Sequence, residues 1–352
     1  MRKVLSAVAA IAVMLAGTSF SDAGTSISAE STNGSIKIMA IGDSITDGYG
    51  ISGSYRKYLY HELTQKGYSI DMVGSKSSSF TAEFTDSETG ERFSYDDDNT
   101  GYSGYAIKEY PGRNGILETL KSTNCLSACK PDIVILQIGT NDVIDNYDME
   151  NSYARAQELI EYILENISDD SALFVTTIPD VEPNRTEVYN WFSNYRHSPD
   201  WQTNYPDDVA EEKILDTLHS YNTDLTALVQ KMASENEKAT LTGSKSPYLC
   251  SANVSKAITD VKSQLVDGVH PNNKGYKLMG EYWSCVIDSY LSGRLPEDRA
   301  YQTEDLEELQ KFILGIPQNK LSSKSFKERY DLNNDDIVDI FDVVTLRKEL
   351  IK

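Results

Sequence analysis

The chain has 352 residues, 39% of them hydrophobic, which is enough for one large well-filled domain and a small second one. Acidic residues outnumber basic ones by 54 to 33, giving a net charge of −21. No Lys/Arg cluster offsets that charge, so nucleic acid and anionic membrane surfaces are excluded as partners, whereas a neutral polymer is not.

The first residues read as an export signal. Arg2 and Lys3 precede the apolar run Val4 to Leu15, and Ser21-Asp22-Ala23 supplies small residues at the two cleavage-determining positions. The expectation is a signal peptide over residues 1–23 and a secreted, extracellular protein. The run is too short to span a bilayer comfortably. Export permits disulfides, and Cys125, Cys129, Cys250 and Cys285 allow three connectivities. One of them closes Cys125 onto Cys129 and ties Cys250, on a late strand, to Cys285 on the domain's last helix. Stapling is favoured over a metal site because no histidine lies at ligand spacing from either pair.

Ser35 to Ile41 alternates and then runs apolar into Gly42-Asp43-Ser44, as a strand entering a loop does. A helix is predicted over Tyr55 to Gln65 and a strand around Ile70 to Val73. From Ser75 to Asn99 the chain is polar, ending in Asp96-Asp97-Asp98, and reads as a surface excursion with a solvated acidic loop. Pro131 to Ile138 is a near-continuous β-branched run, the pattern of a central strand covered on both faces. It ends in Gly139-Thr140-Asn141-Asp142. An amphipathic helix from about Ser152 to Ile167 and a buried strand over Ala172 to Thr177 follow. Strands alternating with helices at this spacing predict a parallel sheet between two helical layers. The loops at the strands' carboxyl ends, where such sheets bind ligands, carry Ser44, Gly104, Asn141 and His270 in chain order.

A serine hydroxyl is a weak nucleophile at neutral pH and needs a base, which in turn needs a partner to fix its tautomer. Four histidines are available. His61 lies in a predicted helix and lacks the second histidine of a zinc-protease helix. His219 sits mid-helix and His197 in an aromatic-rich loop. His270, in Asp267-Gly268-Val269-His270-Pro271-Asn272, has an acid three residues before it and is the strongest candidate. The Gly-x-Ser-x-Gly elbow of α/β-hydrolases is absent at Ser44, which disfavours that fold.

Taken together, Gly42-Asp43-Ser44-Ile45-Thr46, Gly101-Tyr102-Ser103-Gly104, Gly139-Thr140-Asn141-Asp142 and the His270 block resemble the SGNH/GDSL hydrolase superfamily in content and order, over roughly Ser35 to Leu291. The resemblance implies an α/β fold, a three-layer α/β/α sandwich with a parallel, flavodoxin-like sheet. It also implies that Ser44 is the nucleophile, His270 the general base and then acid, and Asp267 the group that orients His270. The N–H groups of Ser44 and Gly104 and the side-chain amide of Asn141 would form the oxyanion hole. No cofactor is needed for that chemistry. The wording around the motifs is most similar to carbohydrate esterase family 3, whose members deacetylate xylan, so the implied substrate is an acetylated polysaccharide. A lipase/acylhydrolase, an esterase on another acetylated sugar polymer, and a non-catalytic carbohydrate-binding protein are the alternatives. Tyr189, Trp191, Phe192, Tyr195, Trp201 and Tyr205 could stack on sugar rings, though loop packing is the commoner use of such a cluster.

Gly293 to Pro296 mark a boundary between a domain over 24–293 and a module over 294–352. Asp331, Asn333, Asp335, the backbone carbonyl of Ile337 and Asp342 follow the ligand spacing of an EF-hand-type calcium loop. Asp336 stands where glycine is usual, and Asp342 replaces glutamate. Asp305-Leu306…Leu309…Ile313-Leu314 aligns with Asp342-Val343…Leu346…Leu350-Ile351 at an offset of 37 residues. The repeat resembles a dockerin, the all-α Ca2+-binding module that plugs enzymes into the cohesin of a cellulosome-type scaffold. Its first copy has decayed, with Arg294, Pro296 and Asp298 at the places matching Asp331, Asn333 and Asp335, which leaves one Ca2+ site. The same resemblance implicates Ile340, Phe341 and Arg347 in cohesin binding.

Overall fold

The computed structural model describes residues 34–77, 81–86, 89–241 and 246–292, together with 306, 309, 310, 313, 330, 332, 338 and 340–351. The predicted signal peptide and the 293–296 boundary lie outside the described residues.

The main sheet is built on β1 (Ile36–Gly42), β2 (Ile70–Met72), β6 (Ile133–Gln137), β7 (Ala172–Thr176) and β8 (Tyr248–Ala252), in the order β2-β1-β6-β7-β8. Every pairing in it is parallel, and the short β5 (Thr100–Gly101) joins the end of β1, matching Gly42 with Gly101. Counting the five long strands alone, this is the 2-1-3-4-5 order of flavodoxin-like sheets. β6 and β7 are buried along their whole length, as their sequences predicted.

Alternation along β1 divides its side chains between two cores. Met39 and Ile41 face a cluster with α3 (Ile116–Thr123), α5 (Thr140–Asp145), α6 (Ser152–Asn166) and α7 (Asp207–Leu241). Ile38 and Ala40 face the other, with α2 (Arg56–Gln65) and α9 (Asn273–Leu291). Each fully buried aliphatic contributes about 1.5–3 kcal/mol, so the two clusters fix the sheet between its helical layers. Among the described residues no helix is long and apolar enough to cross a membrane.

Two expectations need correction. The polar excursion contains an antiparallel hairpin, β3 (Ala82–Thr85) with β4 (Arg92–Tyr95), which sets Phe84 opposite Phe93. Both rings pack against Tyr58, and Phe93 stacks on His61 at 4.1 Å, so two aromatics in a polar context pin the ribbon onto α2. The cysteines are all thiols. Cys129, at the end of α4 (Cys125–Cys129), donates to the Gly74 carbonyl at 3.7 Å, while Cys125 is buried in the core. Cys250 is buried and Cys285 exposed, so their environments differ as well.

In the C-terminal segment, α10 (Ile340–Ile351) contributes Val343 and Leu346 to a small core with Leu309 and Tyr330, and Leu306 packs against it. Leu306 with Val343 and Leu309 with Leu346 are the positions matched by the sequence repeat.

Candidate active site

Ser44 opens α1 (Ser44–Asp47) directly after β1, with Asp43 as the N-cap accepting the Ile45 N–H at 2.9 Å. Burial pushes the Asp43 carboxyl above its ordinary range, although that hydrogen bond opposes it. Gly42 is required here because a Cβ would lie 2.2 Å from the Gln137 carbonyl oxygen. The strand can thus end close against β6 and turn Ser44 upward.

His270 arrives from the loop between α8 (Val261–Gln264) and α9. Asp267 shapes that loop, accepting the N–H groups of Val269 at 2.9 Å and His270 at 2.8 Å on Oδ1. Its Oδ2 lies 2.7 Å from His270 Nδ1, and His270 Nε2 lies 2.8 Å from Ser44 Oγ. Nδ1–H donating to the carboxylate leaves Nε2 as the acceptor for the serine hydroxyl. Burial works to raise Asp267, but its hydrogen bonds with His270 and the loop amides outweigh that and hold it below the usual carboxylate range. Ser44 and His270 are both buried. A buried serine and imidazole in series with a half-buried carboxylate are competent for nucleophilic acyl transfer.

Gly104 is strung between two anchors. On one side, the Ser103 hydroxyl donates to Asp47 of α1 at 2.7 Å. On the other, the Tyr105 carbonyl accepts from Asn141 Nδ2 at 2.8 Å. Gly104 itself has φ +81°, a conformation that favours glycine. Asn141 lies in α5 at the end of β6, and its second amide N–H is not used by that bond. The structure therefore brings together the neighbourhoods of Ser44, Gly104 and Asn141 as well as the Ser44–His270–Asp267 series.

Sequence reading missed the groups that hold these loops. Arg113 grips Asp145 of α5 through Nε at 2.7 Å and Nη2 at 2.9 Å, and its Nη1 donates to the Gly104 carbonyl at 3.2 Å. Asp142 accepts the Ile107 N–H at 3.0 Å and pairs with Arg155, yet burial pushes it up to about 6. Buried Arg56 donates to Thr46 of α1 and pairs with Asp97 at 3.0 Å. Asp96 accepts the backbone N–H groups of Met72 and Asp98, so the acidic run is engaged internally rather than merely solvated. None of these pairings is marked by sequence spacing. The other histidines are engaged elsewhere: His61 on Phe93, His197 with Asn204, and His219 with Asp180.

Of the predicted calcium ligands, Asp331, Asn333, Asp335 and Ile337 lie outside the described residues. Asp342 is buried and accepts the Leu332 N–H at 2.7 Å. Ile340 and Arg347 are exposed on α10, and the side chain of Phe341 lies outside the description.

Comparison with known proteins adds three findings. A multidomain esterase of Ruminococcus flavefaciens is 35% identical over 332 residues, covering 91% of this chain and 36% of that protein. The chain thus spans little more than a third of the length of that relative. Among solved structures, a Clostridium thermocellum family 3 carbohydrate esterase is 26% identical with a TM-score of 0.46, covering 74% of this chain and 98% of that one. A family 3 carbohydrate esterase from Talaromyces cellulolyticus is 20% identical with a TM-score of 0.45, covering 73% and 99%. Residues 38–283 match the GDSL-like lipase/acylhydrolase family, a span that begins in β1 and ends in α9. With that match over more than half its length, the chain belongs to the GDSL-like lipase/acylhydrolase family.

Proposed function

We propose that this protein is an exported serine esterase that removes acetyl groups from plant cell-wall polysaccharide, as an acetyl xylan esterase does, and that its C-terminal module docks it on a scaffold. The observation that carries the chemistry is the unbroken series Ser44 Oγ–His270 Nε2–His270 Nδ1–Asp267, at 2.8 and 2.7 Å.

Ser44 Oγ bonds to the acetyl carbonyl carbon as its proton passes to His270 Nε2, and Asp267 stabilises the imidazolium that forms. The negative oxygen of the tetrahedral intermediate is met by the N–H groups of Ser44 and Gly104 and the amide of Asn141. The bond to the sugar oxygen breaks as His270 returns the proton to it. Water then attacks the acetyl-enzyme as His270 takes its proton, the Ser44 Oγ–carbon bond breaks as His270 returns that proton to Ser44 Oγ, and acetate leaves.

The acetyl-sugar reading is supported by the wording of the four motif blocks. The esterase relative also aligns beyond the span of the family match, at 91% of this chain. The scaffold reading is supported by the shared packing of the repeat-matched leucines and valine and by the bond from the Leu332 N–H to Asp342. Ca2+ would be held there by Asp331, Asn333, Asp335, Ile337 and Asp342, where it serves to order the loop. Ile340, Phe341 and Arg347 would then meet a cohesin.

The test is acetate release from acetylated xylan by the purified full chain, with Ser44→Ala beside it. Release by the wild type and none by a folded variant is the expected result. A wild type that prefers long-chain glycerides would move the reading to a lipase/acylhydrolase. Equal inertness of both proteins on every ester would leave a carbohydrate-binding protein.

A further inference from the structure

Proton transfer locates the two sides of the site. In the acylation step His270 Nε2 must reach the oxygen of the departing alcohol, so whatever borders the imidazole borders the leaving group. The acyl carbonyl lies toward Gly104 and Asn141 instead.

Two aromatic rings border that imidazole. Tyr49 lies tilted against it with ring centroids 4.6 Å apart, and Trp191 meets it edge to face at 5.9 Å. Both remain open to solvent, Tyr49 by 52% and Trp191 by 39%, although His270 between them is only 4% exposed. The other aromatics of the Trp191 segment are committed elsewhere. Phe192 and Tyr195 are buried, Tyr189 lies beneath Arg196 and donates to Asp207, and Trp201 packs on His197.

Each ring is tied to a catalytic loop. The Tyr49 N–H bonds the Ser44 carbonyl at 3.0 Å, so Tyr49 moves with the nucleophile's helix. The Glu182 N–H bonds the Gly268 carbonyl at 2.7 Å, and Arg185 donates to the carbonyls of Leu265 and Val266, tying the segment that leads to Trp191 onto the histidine loop. Exposed, flat and fixed apolar faces beside the leaving oxygen suit a pyranose ring, whose axial C–H groups pack on aromatic faces. They do nothing for a small alcohol.

Resting on the acetyl-sugar reading above, we propose that Tyr49 and Trp191 form the subsite for the sugar ring that carries the acetyl group. They set specificity for the leaving sugar rather than for the acyl chain.

The experiment compares kcat/KM for acetylated xylotriose with that for ethyl acetate, which has the same acyl group and a leaving alcohol too small to stack. In Trp191→Ala and Tyr49→Ala the ratio of the two is expected to fall about ten-fold, and Trp191→Phe and Tyr49→Phe restore most of it. Hydrolysis of the acetyl-enzyme, measured by single turnover, should be equally fast whichever ester formed it, because the sugar has left. Equal falls on both esters would mean that the rings only support His270 and would overturn the proposal, as would an unchanged ratio. A wild type that does not favour the acetylated sugar over ethyl acetate overturns the polysaccharide reading itself, and this subsite with it.

Discussion

Replacing Arg113 by alanine tests whether the oxyanion donors are held by groups that never touch the substrate. Arg113 makes two charge-assisted bonds to Asp145, at 2.7 and 2.9 Å, and one to the Gly104 carbonyl at 3.2 Å. Burial would raise Asp145, but Arg113 and the Tyr110 hydroxyl outweigh it and hold the carboxyl below its usual range. The two side chains are 24% and 28% exposed, so solvent weakens the pair, and its loss should lower stability by about 2 kcal/mol rather than by the full strength of its bonds. Loss of an entire oxyanion donor costs ~10²–10³ in turnover. Gly104 would keep its anchors through Ser103 and Tyr105, so we expect kcat to fall only about ten-fold, with KM nearly unchanged because the oxyanion exists only near the transition state. Acetate release measures kcat and KM, and urea unfolding measures stability. A boronic acid, whose tetrahedral adduct occupies the same hole, should lose affinity in parallel with kcat. Arg113→Lys keeps the charge without the planar fork and should recover activity only in part. A rise in KM with kcat unchanged would show that Arg113 meets the substrate, and unchanged kcat and boronate affinity would refute the anchoring argument.

Three further outcomes are expected. Asp267→Asn should lower kcat by about 10³-fold or more by releasing the His270 tautomer. Because Asp267 titrates below its ordinary value of 3.8, its contribution to stability is complete above that pH and disappears as pH falls through its folded pKa, so urea midpoints of variant and wild type should converge in that acid window. Lys57 is 1% exposed and donates to Ser52 and Asn273, and burial pulls it from 10.5 to about 8, with Arg56 adding to that and Asp97 and Asp86 opposing it. Between those pH values the unfolded chain retains a proton that the folded one has lost, so stability rises with pH, by up to about 3 kcal/mol. Lys57→Met should lack that rise in pH-dependent urea unfolding. Calorimetric titration of the chelator-treated full chain should show one calcium ion bound, at least ten-fold more weakly in Asp342→Ala, with esterase activity indifferent to chelation in both.

The fold was legible wherever burial dictates residue type. The predicted helices and central strands differ from α2, α6, β1, β6 and β7 only at their ends, because a strand covered on both faces has to be apolar throughout and a surface helix apolar on one side. The β3–β4 hairpin was not legible, since its inward residues, Ala82, Phe84, Phe93 and Tyr95, are dispersed in a segment of charges and hydroxyls. The partners of the two phenylalanines, Tyr58 and His61 of α2, lie more than twenty residues upstream. The thiols show the reverse error: export permits disulfides, but which side chains meet is decided by packing.

The same division runs through the site. Ser44, Asp267 and His270, which the fold joins in one series, stand out in the chain because their immediate neighbours are fixed as well: glycine where Gly42 abuts β6, and an acid three residues before the histidine. Arg113, Asp145, Arg56 and Asp97 work at one remove, and any pair able to span the same gap could replace them, so neither their identity nor their spacing carries a signature. Tyr49 and Trp191 belong with this second group in sequence and with the first in space. One follows the nucleophile closely and the other lies far along the chain, yet both rings meet His270. A local signature therefore marks the serine and histidine loops in the chain alone, whereas what singles out Trp191 from the other aromatics of its segment, and Tyr49 at all, is the folding of the loops around the histidine.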